Sequence, residues 1–402
     1  MGKVLSNYFE DYLKKEAFFL DKKVLSANYT PETVPHRENE INKLAGILAP
    51  ALREDNPSNV FVYGKTGTGK TLTVKHVCNS MQEIIKRNKI NVDIFYLNCK
   101  LKRVADTEYR LIAEVGRYLG IDIPATGLPT DEVYKKFVNS LEERKILLVL
   151  VLDEIDQLVS KAGDQILYNL TRLNSELKTS QITLVGISND LMFTNYLDPR
   201  VKSSLSEEEL VFPPYNAMQL QSILKDRAKD AFRKGVIETG VLEKCAAYAA
   251  REHGDARRAL ELLRVAGELA ERSNLNSITI EILDEAEEKI ERDRVHDIIT
   301  TQPKQSQIAL LSIFRTIKAI GNRPMYTGDI YELYKDLCCK TKVKPLTQRR
   351  ISDLIAELDM LGIINANVIS KGRYGRTRQI SLGVPSSTMP KLEGLLEEGL
   401  GL

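Results

Sequence analysis

From about residue 28 to residue 213, short apolar runs alternate with stretches in which apolar residues recur every three to four positions. Residues 59–63, 92–98, 146–152 and 182–187 are rich in Val, Ile and Leu and predict buried strands. Residues 71–86 and 131–144 between them predict helices. Buried strands alternating with helices predict a parallel sheet covered on both faces. Beyond Pro213-Pro214 the strand signal ends, and residues 218–235, 241–253 and 255–273 carry apolar residues at helical spacing. The charged stretch 281–294 predicts a solvated or linking helix, and Gln302-Pro303-Lys304-Gln305 a polar break. Three further helices follow, over 305–320, 327–340 and 347–361, and then two strands over 363–369 and 378–382. Three helices and a hairpin is the order of a winged helix. The segment after Pro385 reads as a loosely attached tail.

One junction in this pattern carries chemistry. Gly64-Lys65-Thr66-Gly67-Thr68-Gly69-Lys70-Thr71 fits G-x-x-x-x-G-K-[ST] in full, between a strand ending at Tyr63 and a helix. Glycines let such a loop curl so that successive N–H groups point inward at phosphate oxygens. Lys70 supplies a point charge to the outer phosphates of ATP or ADP, and the Thr71 hydroxyl suits Mg²⁺. A second strand, ending at Leu152, runs into Asp153-Glu154. An apolar strand that ends in carboxylates presents them where α/β folds bind ligands. Asp153 would hold the metal, and Glu154 would polarise the attacking water as general base. Taken alone, that pair would equally be a strand reaching the surface.

Composition refines the picture. The 402 residues are 43% hydrophobic and 28% charged, with a net charge of only +2. From Thr301 to Pro385, however, fourteen Lys and Arg face six acids, a net of +8. Such asymmetry suggests one module that meets phosphate, although a merely basic soluble domain would carry the same charge. In the predicted helix 347–361, Ile351, Leu354, Ile355, Leu358 and Leu361 make one apolar stripe, leaving Arg349 and Ser352 on the opposite face and Arg350 on the flank. Small and polar residues there suit a major groove, although a plain surface helix would read alike. The tip that follows carries Lys371, Arg373, Arg376 and Arg378 around Tyr374, a self-repelling cluster unless a polyanion meets it. Lys100, Lys102 and Arg103 offer a further basic patch, which would equally suit a solvated helix start. The five cysteines are odd in number and form no C-x-x-C pair, which fits a reducing compartment. No apolar run approaches the length of a membrane span.

These motifs resemble the AAA+ ATPases. In that resemblance Asn189, after the strand 182–187, corresponds to the first sensor, which bonds the γ-phosphate or the lytic water. Without it, Asn189 reads as a polar strand end. Asp198-Pro199-Arg200-Val201 resembles the segment bearing the arginine finger, so Arg200 would reach a neighbouring subunit's nucleotide. Gly254-Asp255-Ala256-Arg257-Arg258 resembles the second sensor, and local physics agrees: Asp255 is a good helix cap that puts Arg257 in the first turn. Tyr215 and Arg227 resemble nucleotide-contacting residues of a narrower family, and Pro35-His36-Arg37-Glu38 the segment that covers adenine. His36 would equally be an ordinary half-buried histidine.

The order of nucleotide core, helical lid and winged helix, with these motifs in place, resembles the archaeal origin-recognition initiators. The implied division is an N-terminal extension (1–27), an AAA+ core (28–212), a lid (213–301), a winged-helix domain (302–385) and a tail (386–402). The resemblance implies a cytoplasmic, nucleoid-associated protein that binds origin double-stranded DNA and recruits the MCM replicative helicase. It implies weak ATP hydrolysis with Mg²⁺, acting as a conformational switch, and paralogous initiator subunits as further partners. Two other readings share the motifs: a winged-helix transcriptional regulator, and a clamp-loader-like motor, against which the basic turn argues.

Overall fold

The computed structural model describes residues 16–26, 29–31, 33–100, 107–124, 127–193, 197–205, 207–321, 323–370, 376–383 and 389–402. These fall into two compact units that divide between residues 283 and 284.

In the first unit, β1 (Val60–Tyr63), β2 (Val92–Asn98), β3 (Leu147–Asp153), β4 (Gln181–Ser188) and β5 (Glu208–Val211) form one sheet, ordered β2-β3-β4-β1-β5. Every neighbouring pair is parallel. β3 is buried along its whole length. Its side chains alternate between two cores: Leu148, Leu150 and Leu152 join one, Leu147, Val149 and Val151 the other. That alternation is why the run carries no polar residue before Asp153. One core is closed by α1 (Glu38–Leu48) and α2 (Lys70–Asn88) through Leu44, Leu48, Val74 and Val77. The other is closed by α3 (Glu108–Tyr118), α4 (Thr130–Arg144), α5 (Ile155–Ala162), α6 (Gln165–Arg172) and α7 (Pro199–Leu205). β5 has no counterpart among the predicted strands. It is an edge strand paired only with β1, and of its four residues only Leu210 is buried, so no apolar run announces it.

The lid consists of α8 (Ala217–Ala231), α9 (Val241–Arg251) and α10 (Ala256–Arg272). α8 starts in a capping box between Asn216 and Gln219. α10 starts at Asp255, whose carboxylate accepts from the N–H groups of Arg257 (2.7 Å) and Arg258 (3.3 Å). Residues 16–26, within the predicted extension, pack on this lid. Phe19 bridges to Phe232, the Leu20 N–H donates to the Ala231 carbonyl (2.8 Å), and the Arg233 N–H donates to the Phe18 carbonyl (3.0 Å). Phe18, Val24 and Leu25 are buried there.

α11 (Ile280–Thr301) is longer than the charged stretch suggested, and the polar break after it ends where α12 (Lys304–Ile320) begins. The second unit then runs β6 (Met325–Tyr326), α13 (Thr327–Lys340), α14 (Gln348–Met360), β7 (Ile364–Ser370) and β8 (Arg376–Leu382), a winged helix with an antiparallel sheet ordered β6-β8-β7. β6 is too short to leave a pattern. The stripe Ile351, Leu354, Ile355 and Leu358 is buried, as its spacing predicts.

The tail is a correction. Met389–Leu400 is a helix, α15, whose Met389, Leu392 and Leu396 join the winged-helix core. Its Glu393 and Glu397 pair with Lys318 and Arg315 of α12. Its apolar residues sit at 389, 392, 395, 396 and 400, a helical stripe that was present in the sequence.

Candidate nucleotide site and winged-helix face

The loop between β1 and α2 is shaped by its glycines. Gly67 and Gly69 have φ of 68° and 89°, the left-handed region that side chains disfavour. A Cβ at Gly67 would lie 1.7 Å from Oδ1 of Asp255, and one at Gly69 would lie 2.7 Å from the Tyr215 hydroxyl. The lid therefore approaches the loop backbone directly. The Ala256 N–H also donates to the Gly67 carbonyl (3.2 Å). Lys70 is buried, with Nζ donating to the carbonyls of Gly64 (2.6 Å) and Lys65 (2.7 Å). Burial lowers its ammonium to about 8, against the pull of Asp153.

The Thr71 hydroxyl donates to Oδ2 of Asp153 (2.9 Å), and the Tyr96 hydroxyl donates to the same oxygen. Burial, reinforced by that carboxylate, raises the Tyr96 phenol above its ordinary value. The Glu154 N–H donates to Oδ1 of Asp153 (2.9 Å). Glu154 is left-handed at φ 55°, and its carboxylate lies 3.6 Å from Nζ of Lys100. Lys100, a candidate DNA contact, thus also lies beside the candidate base. Lys102 and Arg103 lie outside the described residues.

A cleft of about 820 Å³ gathers most of the expected nucleotide residues. Gly67, Thr68, Gly69, Lys70, Thr71, Asp153, Glu154, Asn189, Tyr215, Arg227 and Arg257 line it. Gly64, Lys65 and Thr66 form the loop's base outside the lining. A Cβ at Gly64 would meet the Phe212 carbonyl at 2.5 Å, and Lys65 reaches Nδ1 of His253 (3.2 Å). His36 is not among the lining residues. Its backbone turns at φ 60° and its N–H donates to Glu38 (3.1 Å), so Val34 and Pro35 make the wall there.

Three further residues of this site were not singled out individually in the sequence, although Arg37 falls within the segment Pro35-His36-Arg37-Glu38. Tyr29 stacks under the Arg227 guanidinium, 4.6 Å from ring centre to Cζ, and burial lowers that guanidinium from its ordinary value. Arg37 is only 2% exposed and lies over the Tyr215 ring at 4.0 Å, donating to the Pro213 carbonyl (2.6 Å). Tyr96 holds Asp153. Each comes from a segment distant in sequence, and only a tyrosine within a strand hinted at the last.

Arg200 lies away from this cleft. Its side chain is 69% exposed, its Nε and Nη2 donate to Asp198 (3.1 Å each), and its guanidinium lies over the Tyr168 ring.

Compared with known proteins, residues 53–191 match the family described as "AAA domain", 221–288 "Cdc6 AAA+ ATPase-type lid domain", and 297–391 "CDC6, C terminal winged helix domain". The "ORC1-type DNA replication protein" of Thermococcus onnurineus is 52% identical over 384 residues, covering 94% of this chain and 92% of its own. This chain belongs to the ORC1-type DNA replication proteins. The ORC1-type protein 1 of Archaeoglobus fulgidus is likewise 52% identical, over 96% and 93% of the two chains. Among solved structures, "Structure of the Aeropyrum pernix ORC1 protein in complex with DNA" shares 45% identity and a TM-score of 0.80, covering 96% of this ORC1-type chain and 98% of that one. The Cdc6p of Pyrobaculum aerophilum is 25% identical, with a TM-score of 0.59.

In the winged helix of this ORC1-type chain, Arg349, Arg350 and Ser352 lie near the start of α14. Arg349 is exposed, and Arg350 lies 3.6 Å from Asp353. Lys371, Arg373 and Tyr374 lie outside the described residues, as does the side chain of Arg376 at the start of β8. Among the described residues no helix is long and apolar enough to cross a membrane.

Proposed function

We propose that this chain is an ATP-switched replication initiator that binds origin double-stranded DNA and helps recruit the MCM helicase. The observation that carries the switch is the contact between Asp255 at the head of α10 and Gly67 at the tip of the phosphate loop. A lid built directly on that loop responds to what the loop holds. The binding reading is supported by the family and by the relative solved in complex with DNA.

The residues fit ATP and Mg²⁺. The curled glycine backbone and the Lys70 ammonium suit phosphate oxygens. The Thr71 hydroxyl and the Asp153 carboxylate, 2.9 Å apart, are the oxygen donors a hard cation takes. When bound, Mg²⁺ would neutralise charge across the outer phosphates. Lys70 would move its donors from the loop carbonyls to phosphate. Glu154 would accept a proton from the attacking water, and Asn189 would orient that water or the γ-phosphate. Arg257, fixed in the first turn of α10 by the Asp255 cap, would draw the lid towards the γ-phosphate. Arg227 and Tyr215 would bound the cleft on the lid side. Arg200 would serve a neighbouring subunit, as its exposure allows. Arg349, Arg350 and Ser352, with the turn bearing Lys371, Arg373, Tyr374 and Arg376, would meet DNA.

Two measurements test this. Lys70→Ala should lose tight nucleotide binding, whereas Glu154→Ala should keep it and stop ATP hydrolysis; unchanged turnover in the second variant removes Glu154 as base. Chromatin occupancy should coincide with sites where replication begins. Occupancy confined to promoters elsewhere would favour a transcriptional regulator.

A further inference from the structure

Lys75 and Tyr96 line the nucleotide cleft with Thr71, Asp153 and Glu154, yet neither has a task in the reaction described above. Their place follows from the fold. β2 runs beside β3 with Tyr96 opposite Val151 and Asn98 opposite Asp153. Successive strand residues point to opposite faces, so Tyr96 and Asp153 share one face of the sheet, the face that α2 covers. Thr71 and Lys75 lie four residues apart on α2, so both reach towards that strand end.

Asp153 is 3% exposed, and a carboxylate buried to that degree needs donors. It has three. The Glu154 N–H donates to Oδ1 (2.9 Å), and the hydroxyls of Thr71 and Tyr96 both donate to Oδ2. These three are not equivalent. The first comes from the next residue in the chain and fixes Oδ1 alone. Thr71 offers its oxygen to the same cation that Asp153 would hold, so it follows the metal. Tyr96 is independent of both. It anchors Oδ2 to a different strand, whatever the cleft contains. The ring then carries a further contact: Nζ of Lys75 lies 4.4 Å from its centre. A cation over a phenol draws electron density from the ring and makes the O–H a stronger donor. Packing between α2 and the sheet asks only for the ring, and a phenylalanine would fill that space. The hydroxyl adds the bond to Asp153.

We infer that Lys75 and Tyr96 are a positioning pair for the divalent cation: Tyr96 holds the Asp153 carboxylate in place, and Lys75, lying over the ring, strengthens that hold. The inference rests on the ATP and Mg²⁺ reading above and names what sets the affinity for the metal. Groups that orient a metal's ligands typically change its affinity by about 10- to 100-fold when removed.

The test uses the full-length chain and a fluorescent ADP analogue, with affinity measured in EDTA and then across a MgCl2 titration. The quantity read is the Mg²⁺ concentration that gives half of the gain in affinity, so a general change in nucleotide affinity cancels. Tyr96→Phe keeps the ring and removes only the hydroxyl, and it should need about tenfold more Mg²⁺ or beyond. Lys75→Met keeps the length and removes the charge, and it should need about two- to fivefold more. Lys75→Arg, which restores a cation over the ring, should recover the wild-type requirement. Added to Tyr96→Phe, Lys75→Met should have no further effect, because the hydroxyl it acts through is gone. If Tyr96→Phe keeps or lowers the wild-type Mg²⁺ requirement, the positioning role is refuted and the nucleotide reading stands. A Lys75→Met shift that persists undiminished in the Tyr96→Phe background means that Lys75 acts on the bound nucleotide directly, and the pair is refuted. Wild type that binds the analogue with no gain from Mg²⁺ overturns the inference and the metal assignment but leaves the phosphate loop its role. Wild type that does not bind the analogue at all brings down the nucleotide reading and the inference together.

Discussion

Lys70 shows how one residue reports on its surroundings. In the unfolded chain its ammonium titrates near its ordinary 10.5; in the fold, burial brings it to about 8. Between these values the unfolded chain keeps a proton that the folded chain has released, so stability should rise with pH in that window. Nucleotide affinity should move the opposite way, because phosphate needs the charged form. Titration with a fluorescent ATP analogue should show affinity falling above pH 8, up to about tenfold per pH unit. A flat profile from pH 7 to 9.5 would mean that Lys70 stays charged throughout. The loop around it was legible because its eight residues are contiguous and each type has a phosphate-binding reason. Arg37, Tyr29 and Tyr96 were not, because their place at the site depends on packing. Nothing near Arg37 in sequence reveals that Tyr215 lies 4.0 Å beneath it. His36 stayed open between two readings for the same reason, since a backbone turn at φ 60° cannot be read from a histidine.

Among the elements, those with one apolar period were legible to within a few residues, as with β3, α10 and α14. Those missed include edge or accessory pieces. β5 buries one residue in four and β6 has two residues, so neither could form a run. α15 is different. Its stripe was visible, but its position after a Pro-Ser-Ser segment suggested a tail. The structure gives it a share of the core, and a strong prediction follows. Leu396 is 1% exposed between α15 and the rest of the winged helix. Leu396→Ala should destabilise that unit by about 2–5 kcal/mol, as large-to-small core changes do. Thermal unfolding should show the loss. A shift in melting temperature below one degree would mean that α15 is only lightly held.

For the whole molecule, the question is which residues act within one chain and which need a second. The nucleotide cleft takes its lining from both the sheet and the lid of a single unit, so binding needs no neighbour. Arg200 is the exception, 69% exposed and held by Asp198 and the Tyr168 ring. Turnover per chain should rise with protein concentration in the wild type and stay flat in Arg200→Ala, with nucleotide affinity equal in both. Concentration-independent turnover that Arg200→Ala leaves intact would end the finger role. The leading end of the chain has its own reach. Residues 16–26 are stitched to the lid by Phe18, Phe19 and Leu20, and a few residues later Tyr29 props Arg227 while Val34 and Pro35 wall the cleft. In the proposed switch, Phe18, Phe19 and Leu20 on the lid and Val34 and Pro35 on the cleft wall would together act as a drawstring. A tag, a fusion or a bound protein pulling ahead of Glu16 would then be felt where a nucleotide's base and phosphates would sit.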